Sequence, residues 1–441
     1  MGIFASLNRQ QKEAVGLLQI GTFLEYFDLM LYVHMAVLLN ELFFPKTDPH
    51  TAALLTAFAF CTTYALRPFG ALLFGWIGDN IGRKPTVIIT TTMMSLSCVV
   101  MANLPTYAQV GISAAWIVTL CRAIQGLSSM GEVVGAQVYV SELVKPPSQF
   151  PAVGFISVAT AIGAFAALGF ATMVTRYEYN WRIAFWAGAG IAVIGSIART
   201  RLRETPNFIE AKNLKKSSTS VNLKTSKQLL WHLLAIYFGW PLSFYVAYMY
   251  FNPLLKDKFW YSSEQIIEHN LIIAFFSLIS LITVSILSSR INPLCILRVK
   301  GWVTLFLVSI TPFYITKITD ASHLLLLQSL LIIFALDVCP ALPIFFNALP
   351  VLKRITATSF IYAASRALIY IITSFGLVYC SEIIGNFGLW VISIPVCFAF
   401  LCGVNYFEKL ENKNKDKNSN TKQHQVHTPL STEPNEIKLA G

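Results

Sequence analysis

The feature that most constrains this chain is a run of about twenty consecutive, mostly apolar residues that recurs between residues 14 and 407. A helix needs roughly 20 such residues to cross about 30 Å of hydrocarbon. Inside a bilayer no water is available, so each backbone amide must be satisfied within its own segment or by a close neighbour, which favours helices. The runs predict twelve of them, at approximately 14–40, 51–77, 85–103, 107–143, 150–175, 181–200, 227–255, 264–289, 294–315, 321–349, 354–382 and 385–407. Composition agrees: 55% of the 441 residues are hydrophobic and only 12% charged, too few to clothe a water-soluble surface. The expected class is an all-α integral membrane protein embedded in the lipid bilayer.

A formal net charge of +11 can signal nucleic-acid binding, but here the Lys and Arg residues sit in short connections between spans, which excludes that reading. With a cytoplasmic N-terminus, that side collects nineteen basic residues and the opposite side six, leaving aside the tail. Both termini are therefore expected in the cytoplasm, in a plasma membrane of the bacterial inner-membrane type. One long polar connection, Arg201 to Ser226, follows the sixth run and contains Glu204-Thr205-Pro206. It divides the chain into an N-terminal six-helix bundle at 1–200, a cytoplasmic central loop at 201–226 and a C-terminal six-helix bundle at 227–407. Residues 408–441 are polar, rich in Asn and Lys and without heptads, and read as a disordered cytoplasmic tail rather than a coiled coil.

The residues ahead of the first run are polar and do not read as a removable signal peptide; Met1-Gly2 with Ser6 matches only the crude myristoylation pattern. The eight cysteines, Cys61, Cys98, Cys121, Cys295, Cys339, Cys380, Cys397 and Cys402, lie almost all within apolar runs and read as buried thiols. His34 and His232 have no metal-binding spacing, so no metal or cofactor is expected. No phosphate-binding loop, HExxH or nucleophile elbow is present in the sequence, which argues against an enzyme.

After the second run comes Gly75-Trp76-Ile77-Gly78-Asp79-Asn80-Ile81-Gly82-Arg83-Lys84. It resembles the signature loop of the major facilitator superfamily, with Asn80 where that family usually has Arg. Glycines there allow two helices to approach, and Asp79 can cap a helix and meet Arg83 or Lys84. The first half is also similar to the metabolite:proton symporter branch, which includes proline/betaine, dicarboxylate, citrate and shikimate transporters. The marks are Glu25-Tyr26-Phe27-Asp28, Phe43-Phe44-Pro45, Arg67-Pro68-Phe69-Gly70, Pro105-Thr106-Tyr107, Arg122-Ala123-Ile124-Gln125-Gly126, Gly131-Glu132, Trp181-Arg182 and Arg203-Glu204-Thr205-Pro206. The second half departs from the branch: its equivalent of the signature loop is Ser288-Ser289-Arg290-Ile291-Asn292-Pro293, with neither Asp nor a Gly-Arg pair. The resemblance implies two six-helix bundles around a midplane cavity, a gating loop made by Gly75, Gly78, Asp79, Gly82, Arg83 and Lys84, and transport driven by protons.

A charge near the bilayer centre costs at least roughly 2.5 kcal/mol, so each intramembrane charge should face a cavity or a partner. Glu25, Asp28 and Tyr32 share one helical face, and either acid is a candidate proton carrier or a structural partner for an arginine. Arg122, Gln125, Ser129 and Glu132 draw a polar stripe down the fourth run, with roles in coupling or substrate contact set against hydrogen bonding within the bundle. Arg67, ahead of Pro68, reads as structural or cavity-lining. Asp337 and Arg366 fall at a shared depth in the tenth and eleventh runs, and pair with each other or meet the substrate. Trp240, Phe244, Tyr245, Tyr248, Tyr250 and Phe251 make an aromatic cluster that either packs against lipid or cages a quaternary ammonium.

The expected function is secondary active transport, with proton-coupled symport of a small organic solute by alternating access, by a monomer. The solute class is a proline- or betaine-type zwitterion or an organic carboxylate. A non-transporting sensor on the same fold and an uncoupled facilitator are the alternatives.

Overall fold

The computed structural model describes residues 7–34, 39, 42–44, 49–176, 180–217 and 226–426. Its first six spans are Arg9–His34, Pro49–Asn80, Arg83–Asn103, Ile112–Leu143, Gln149–Arg176 and Arg182–Arg199. The sequence places local start signals where several helices begin. Asn8 and Gln11 exchange bonds at 2.8 and 3.0 Å ahead of span one, and Thr106 and Gln109 form a capping box before span four. In the second half, Ser262 and Gln265 cap span eight, Ser263–Leu287; Asn292 with Pro293 opens span nine, Pro293–Lys317; and Asp320 opens span ten at Ala321. Spans eleven and twelve are Arg354–Ile384 and Gly388–Val426.

Spans seven and ten are not the unbroken helices that hydropathy predicts over 227–255 and 321–349. Span seven runs as Lys227–Tyr237 and Gly239–Phe244, continues as a π-helix over Tyr245–Tyr250, and ends as Asn252–Phe259. Span ten stops at Ile333, opens over 334–338, and resumes through a 3-10 turn at Cys339–Ala341 into Leu342–Asn347. Pro340 and Pro343 explain the second break, since a proline lacks the amide hydrogen and clashes with the preceding turn. The released backbone groups are met by side chains of three neighbours. Ser280 Oγ donates to Ile333 O at 2.7 Å, Thr304 Oγ1 donates to Phe334 O at 2.5 Å, and Leu336 N donates to Ser243 Oγ at 3.0 Å. In the π-helix, Ala247 O accepts from Gln328 Nε2 at 2.8 Å, and Gln328 is in turn held by His269 at 2.7 Å.

The halves pack by the same rule. Within the first, span one lies on span five, span two on span four, and span three on spans four and six; within the second, span nine lies on span twelve and span eight on span ten. Across the halves, span two meets span eleven and span five meets span eight. Advancing each partner by six spans exchanges these two contacts, as expected of two related bundles. The spans that cross make an all-α, twelve-helix architecture in two six-helix bundles. Among the described residues, eight are long and apolar enough to cross a bilayer by length and composition, and Arg182–Ile197 and Ala321–Ile333 are shorter apolar helices.

Two connections differ from expectation. The central loop contains a helix, Pro206–Ser217, and residues 218–225 lie outside the described residues. The last helix continues to Val426 where composition predicts an unstructured tail from Glu408; Arg298 pairs with Glu408, and Asn292 reaches Glu411 at 3.5 Å. Residues 427–441 and the Met1-Gly2-Ser6 pattern lie outside the described residues.

Candidate functional site

Between the two bundles lies a cavity of about 710 Å³, within the usual range for small-ligand sites. Tyr26, Tyr64 and Arg67 line it from the first half, and Tyr237, Asp337 and Arg366 are among its lining residues from the second. Tyr26 and Tyr362 join the halves through their hydroxyls at 3.0 Å. The Arg366 guanidinium lies over the Tyr362 ring at 3.4 Å, and Arg67 lies over Tyr64 at 4.6 Å. Tyr64 packs edge-on against Tyr370 with ring centroids 4.9 Å apart. Of the aromatic cluster in span seven, Trp240, Phe244 and Tyr248 line the cavity, whereas Tyr245, Tyr250 and Phe251 pack into the core of the second half.

Glu25 and Asp28 of span one are buried, and each faces an arginine of another helix. Asp28 Oδ2 lies 3.3 Å from Arg122 Nη1, and Gln125 Oε1 accepts from the same nitrogen at 2.8 Å. Glu25 Oε1 lies 4.0 Å from Arg67 Nη2. The stripe on span four thus meets span one through Arg122 and Gln125, while Ser129 bonds locally to Gly126 O at 3.2 Å. The Glu132 side chain lies outside the described residues. Asp337 and Arg366 line the same cavity but make no ion pair within 4.0 Å. Two buried cations, Lys300 of span nine and Arg366 of span eleven, bring positive charge to Asp337 without a direct ion pair. Lys300 falls inside the predicted run at 294–315 but is counted with the basic residues of the cytoplasmic side; in the structure it is buried seven residues into its helix.

At the signature-loop end the halves are bonded together. Asp79 Oδ1 accepts from Ile355 N at 3.2 Å, and its Oδ2 accepts from Thr356 N at 2.9 Å and Thr356 Oγ1 at 2.7 Å, so it caps span eleven across the interface. Arg83 pairs with Asp79 at 3.2 Å and donates to Val351 O of the other half at 2.7 Å. Glu204 accepts from Arg83 N at 3.0 Å and Lys84 N at 3.2 Å, and Phe208 lies under the Arg83 guanidinium at 4.7 Å. A Cβ at Gly75 would stand 2.7 Å from Thr356 Cα, and one at Gly78 would stand 2.8 Å from Ile355 Cδ1. At Gly82 it would strike the Glu204 carboxylate. These glycines hold spans two, three and eleven at a distance no larger residue permits.

The centre of this network, Glu142, was not singled out in the sequence. It pairs with Arg83 at 3.1 Å and with Arg354 of the second half at 3.1 Å, and accepts from Thr205 Oγ1 at 2.7 Å. An acid at the last turn of span four looks in sequence like an ordinary loop-proximal charge. Arg199 is another residue hidden by its position. Counted with the cytoplasmic connections, it is fully buried and donates to Leu17 O at 3.1 Å and Leu18 O at 2.7 Å.

Two six-helix bundles that share a cavity and are bonded at one end define a multi-pass membrane protein of the two-bundle class. The sequence profile of the Major Facilitator Superfamily matches residues 18–373, and the chain belongs to that superfamily, whose members are transporters rather than enzymes. It is 33% identical over 205 residues to a proline/betaine transporter of Salmonella typhimurium, a match covering 45% of this chain and 41% of that one. It is 34% identical over 221 residues to the inner membrane metabolite transport protein YhjE of Escherichia coli, covering 48% and 50%. The chain spans about half or less of the length of these curated relatives. Among solved structures, the proton:xylose symporter XylE bound to 6-bromo-6-deoxy-D-glucose superposes with a TM-score of 0.72 at 15% identity, over 90% of this chain and 95% of that one. The human organic anion transporter MFSD10 gives 0.66 at 15% identity, over 91% and 100%. At such identity the likeness is one of fold.

Proposed function

We propose that the protein is a proton-coupled secondary transporter of a small organic solute, a zwitterion or a carboxylate, working by alternating access as a monomer. The observation that carries this reading is the cavity shared by both bundles, with a buried guanidinium, Arg366, facing it. The bonds between Asp79, Arg83 and Glu142 and the second half close one end, and a carrier must break and remake such a seal in each cycle. The coupling acids are drawn from Glu25 and Asp28, each held against an arginine of another helix that it can exchange for a proton, and Glu132 of the polar stripe. The nineteen-to-six distribution of basic residues supports cytoplasmic termini in a plasma membrane.

The test is purified protein in liposomes under an imposed pH gradient, supplied with zwitterionic osmolytes and with di- and tricarboxylates. Accumulation that collapses with the gradient is the expected result. Equilibration without accumulation points to an uncoupled facilitator, and no flux of any solute favours a sensor on the same fold, a reading to which the departed second-half loop gives some weight. Glu25→Gln, Asp28→Asn and Glu132→Gln, tested separately, should include one that stops accumulation but keeps exchange. If all three still concentrate solute normally, these acids are not the coupling groups.

A further inference from the structure

Span eight presents different faces to two spaces. Ala274, Ser277 and Leu281 line the central cavity, whereas Ile279, Thr283 and Leu287 line a separate groove of about 400 Å³ formed with span nine and the end of span ten. The groove opens on the outside of the second bundle, where its rim residues Ile279, Leu287 and Val299 are exposed. In a chain that crosses the bilayer, an exposed apolar rim on a span meets lipid tails. The inner wall lies where span ten stops, with Ile333 and Phe334 in the lining.

Almost all of this lining is apolar or already satisfied. Ser280 and Thr283 donate their hydroxyl hydrogens to Ile333 O at 2.7 Å and Ile279 O at 2.8 Å. Lys300 is the one charged group among the described lining residues; it is 5% exposed and makes neither a hydrogen bond nor an ion pair within 4.0 Å among the described residues. Asp337 lines the central cavity instead and makes no ion pair with it. An ammonium held seven residues into its helix, about 10 Å from the helix start, is costly in hydrocarbon unless an anion reaches it. At the end of the groove next to the turn between spans eight and nine, exposed Arg290 stands in sequence between the lining residues Leu287 and Ile291. A ligand matched to these features has a long apolar portion and an anionic head.

We propose that this groove binds an acidic glycerophospholipid of the surrounding leaflet, with one acyl chain lying along span eight against Ile333 and Phe334 and the phosphate drawn to Lys300 and Arg290. The bilayer supplies such a molecule laterally, through the exposed rim. The lysine stem keeps its methylenes in the apolar wall while the ammonium reaches toward a headgroup at the interface. A basic recess between membrane helices suits an acidic headgroup. A fatty acid offers one small carboxylate at a single level, whereas a phosphodiester head on its glycerol backbone serves both Arg290 at the end of the groove and Lys300 within it. The site is separate from the central cavity and stands whether or not the protein moves a solute.

The test uses the full-length purified chain in detergent and adds phosphatidylglycerol, phosphatidylcholine with the same acyl chains, or oleate. Two quantities are read: the melting temperature, and the rate at which N-ethylmaleimide modifies Cys295, an exposed lining residue, with exposed Cys402 of span twelve as the internal reference. Phosphatidylglycerol should raise the melting temperature and slow modification of Cys295 several-fold, but not of Cys402, at concentrations where phosphatidylcholine does little. Lys300→Met should raise the phosphatidylglycerol concentration giving half the effect roughly fivefold, the loss of one basic contact to an acidic headgroup, and Lys300→Arg should stay close to wild type. Val299→Trp, which fills the groove from its exposed rim and leaves the buried charge in place, should abolish the rise in melting temperature. Should Lys300→Met not survive purification, the lipid comparison on the wild type and on Val299→Trp decides the matter. Equal effects of phosphatidylglycerol and phosphatidylcholine, or a Lys300→Met protein that answers phosphatidylglycerol as the wild type does, overturns the proposal. Oleate acting at lower concentration than phosphatidylglycerol overturns the phospholipid as the occupant.

Discussion

Asp28 and Arg122 show how much one buried pair can carry. Each is nearly inaccessible, and the 3.3 Å contact is supported by Gln125 on the same arginine. Removing one partner strands the other in a low-dielectric interior, a loss of about 3–5 kcal/mol, whereas removing both is much milder. Arg122→Gln and Asp28→Asn should therefore each lower folded yield and thermal stability, with the double variant recovering much of the loss. Melting temperatures of the two single variants and the double variant yield the coupling energy. Additive losses would show that the pair does not act as a unit. Glu142 belongs to the same scale, but it serves two arginines from different halves, so its loss weakens a contact between bundles as well as a fold.

Span ten shows an element breaking because its neighbours permit it. Pro340 and Pro343 interrupt the helix, yet an interruption in a bilayer is tolerable only where the freed carbonyls and amides find partners. Thr304 supplies one, donating to Phe334 O. Thr304→Val keeps the shape and removes that hydrogen, so the buried carbonyl is left unsatisfied at a cost of about 1–3 kcal/mol. Thr304→Ser retains the hydroxyl and should stay close to wild type. Comparison of their melting temperatures checks this, and equal stability of the two variants would mean that the bond does not support the break. The same logic places Asp337 at the cavity, because only an opened backbone offers the Cys339 amide to its carboxylate.

For the whole molecule, the contact between spans two and eleven is set by Gly75. The 2.7 Å approach of a Cβ to Thr356 Cα is closer than packed atoms come, and the listener on the other side is backbone, which cannot swing aside. Gly75→Leu should wedge the halves apart at the signature-loop end while leaving each bundle intact. In a variant with a cysteine introduced at Thr358, a buried position on span eleven, the Leu substitution should raise labelling by a thiol reagent from that end several-fold. Unchanged labelling would show that the seal does not depend on this approach. The orientation itself is tested by a cysteine at Ser218 in the central loop, which should react with an impermeant reagent only after the membrane is opened.

Length and periodicity of the apolar runs determined the twelve spans, the division at the central connection and the membrane setting, because hydrocarbon thickness and backbone satisfaction leave few other solutions. The signature loop was also legible, since Gly75, Gly78 and Asp79 are short-range requirements written in consecutive residues. What tertiary structure alone decided was which charges meet. Asp28 with Arg122, Glu25 near Arg67, and Glu142 with Arg83 and Arg354 join residues far apart in the chain. The count of basic residues by side misjudged Lys300 and Arg199 because a cation near the end of an apolar run reads the same whether its side chain reaches water or turns inward. Hydropathy missed the breaks in spans seven and ten because a window average cannot tell a continuous helix from one whose lost bonds are supplied by Ser243, Thr304 and Gln328. The sequence by itself therefore set the number of helices and their environment, and only their packing fixed the charge pairing around the cavity, because an ion pair depends on distances between helices that no local pattern encodes.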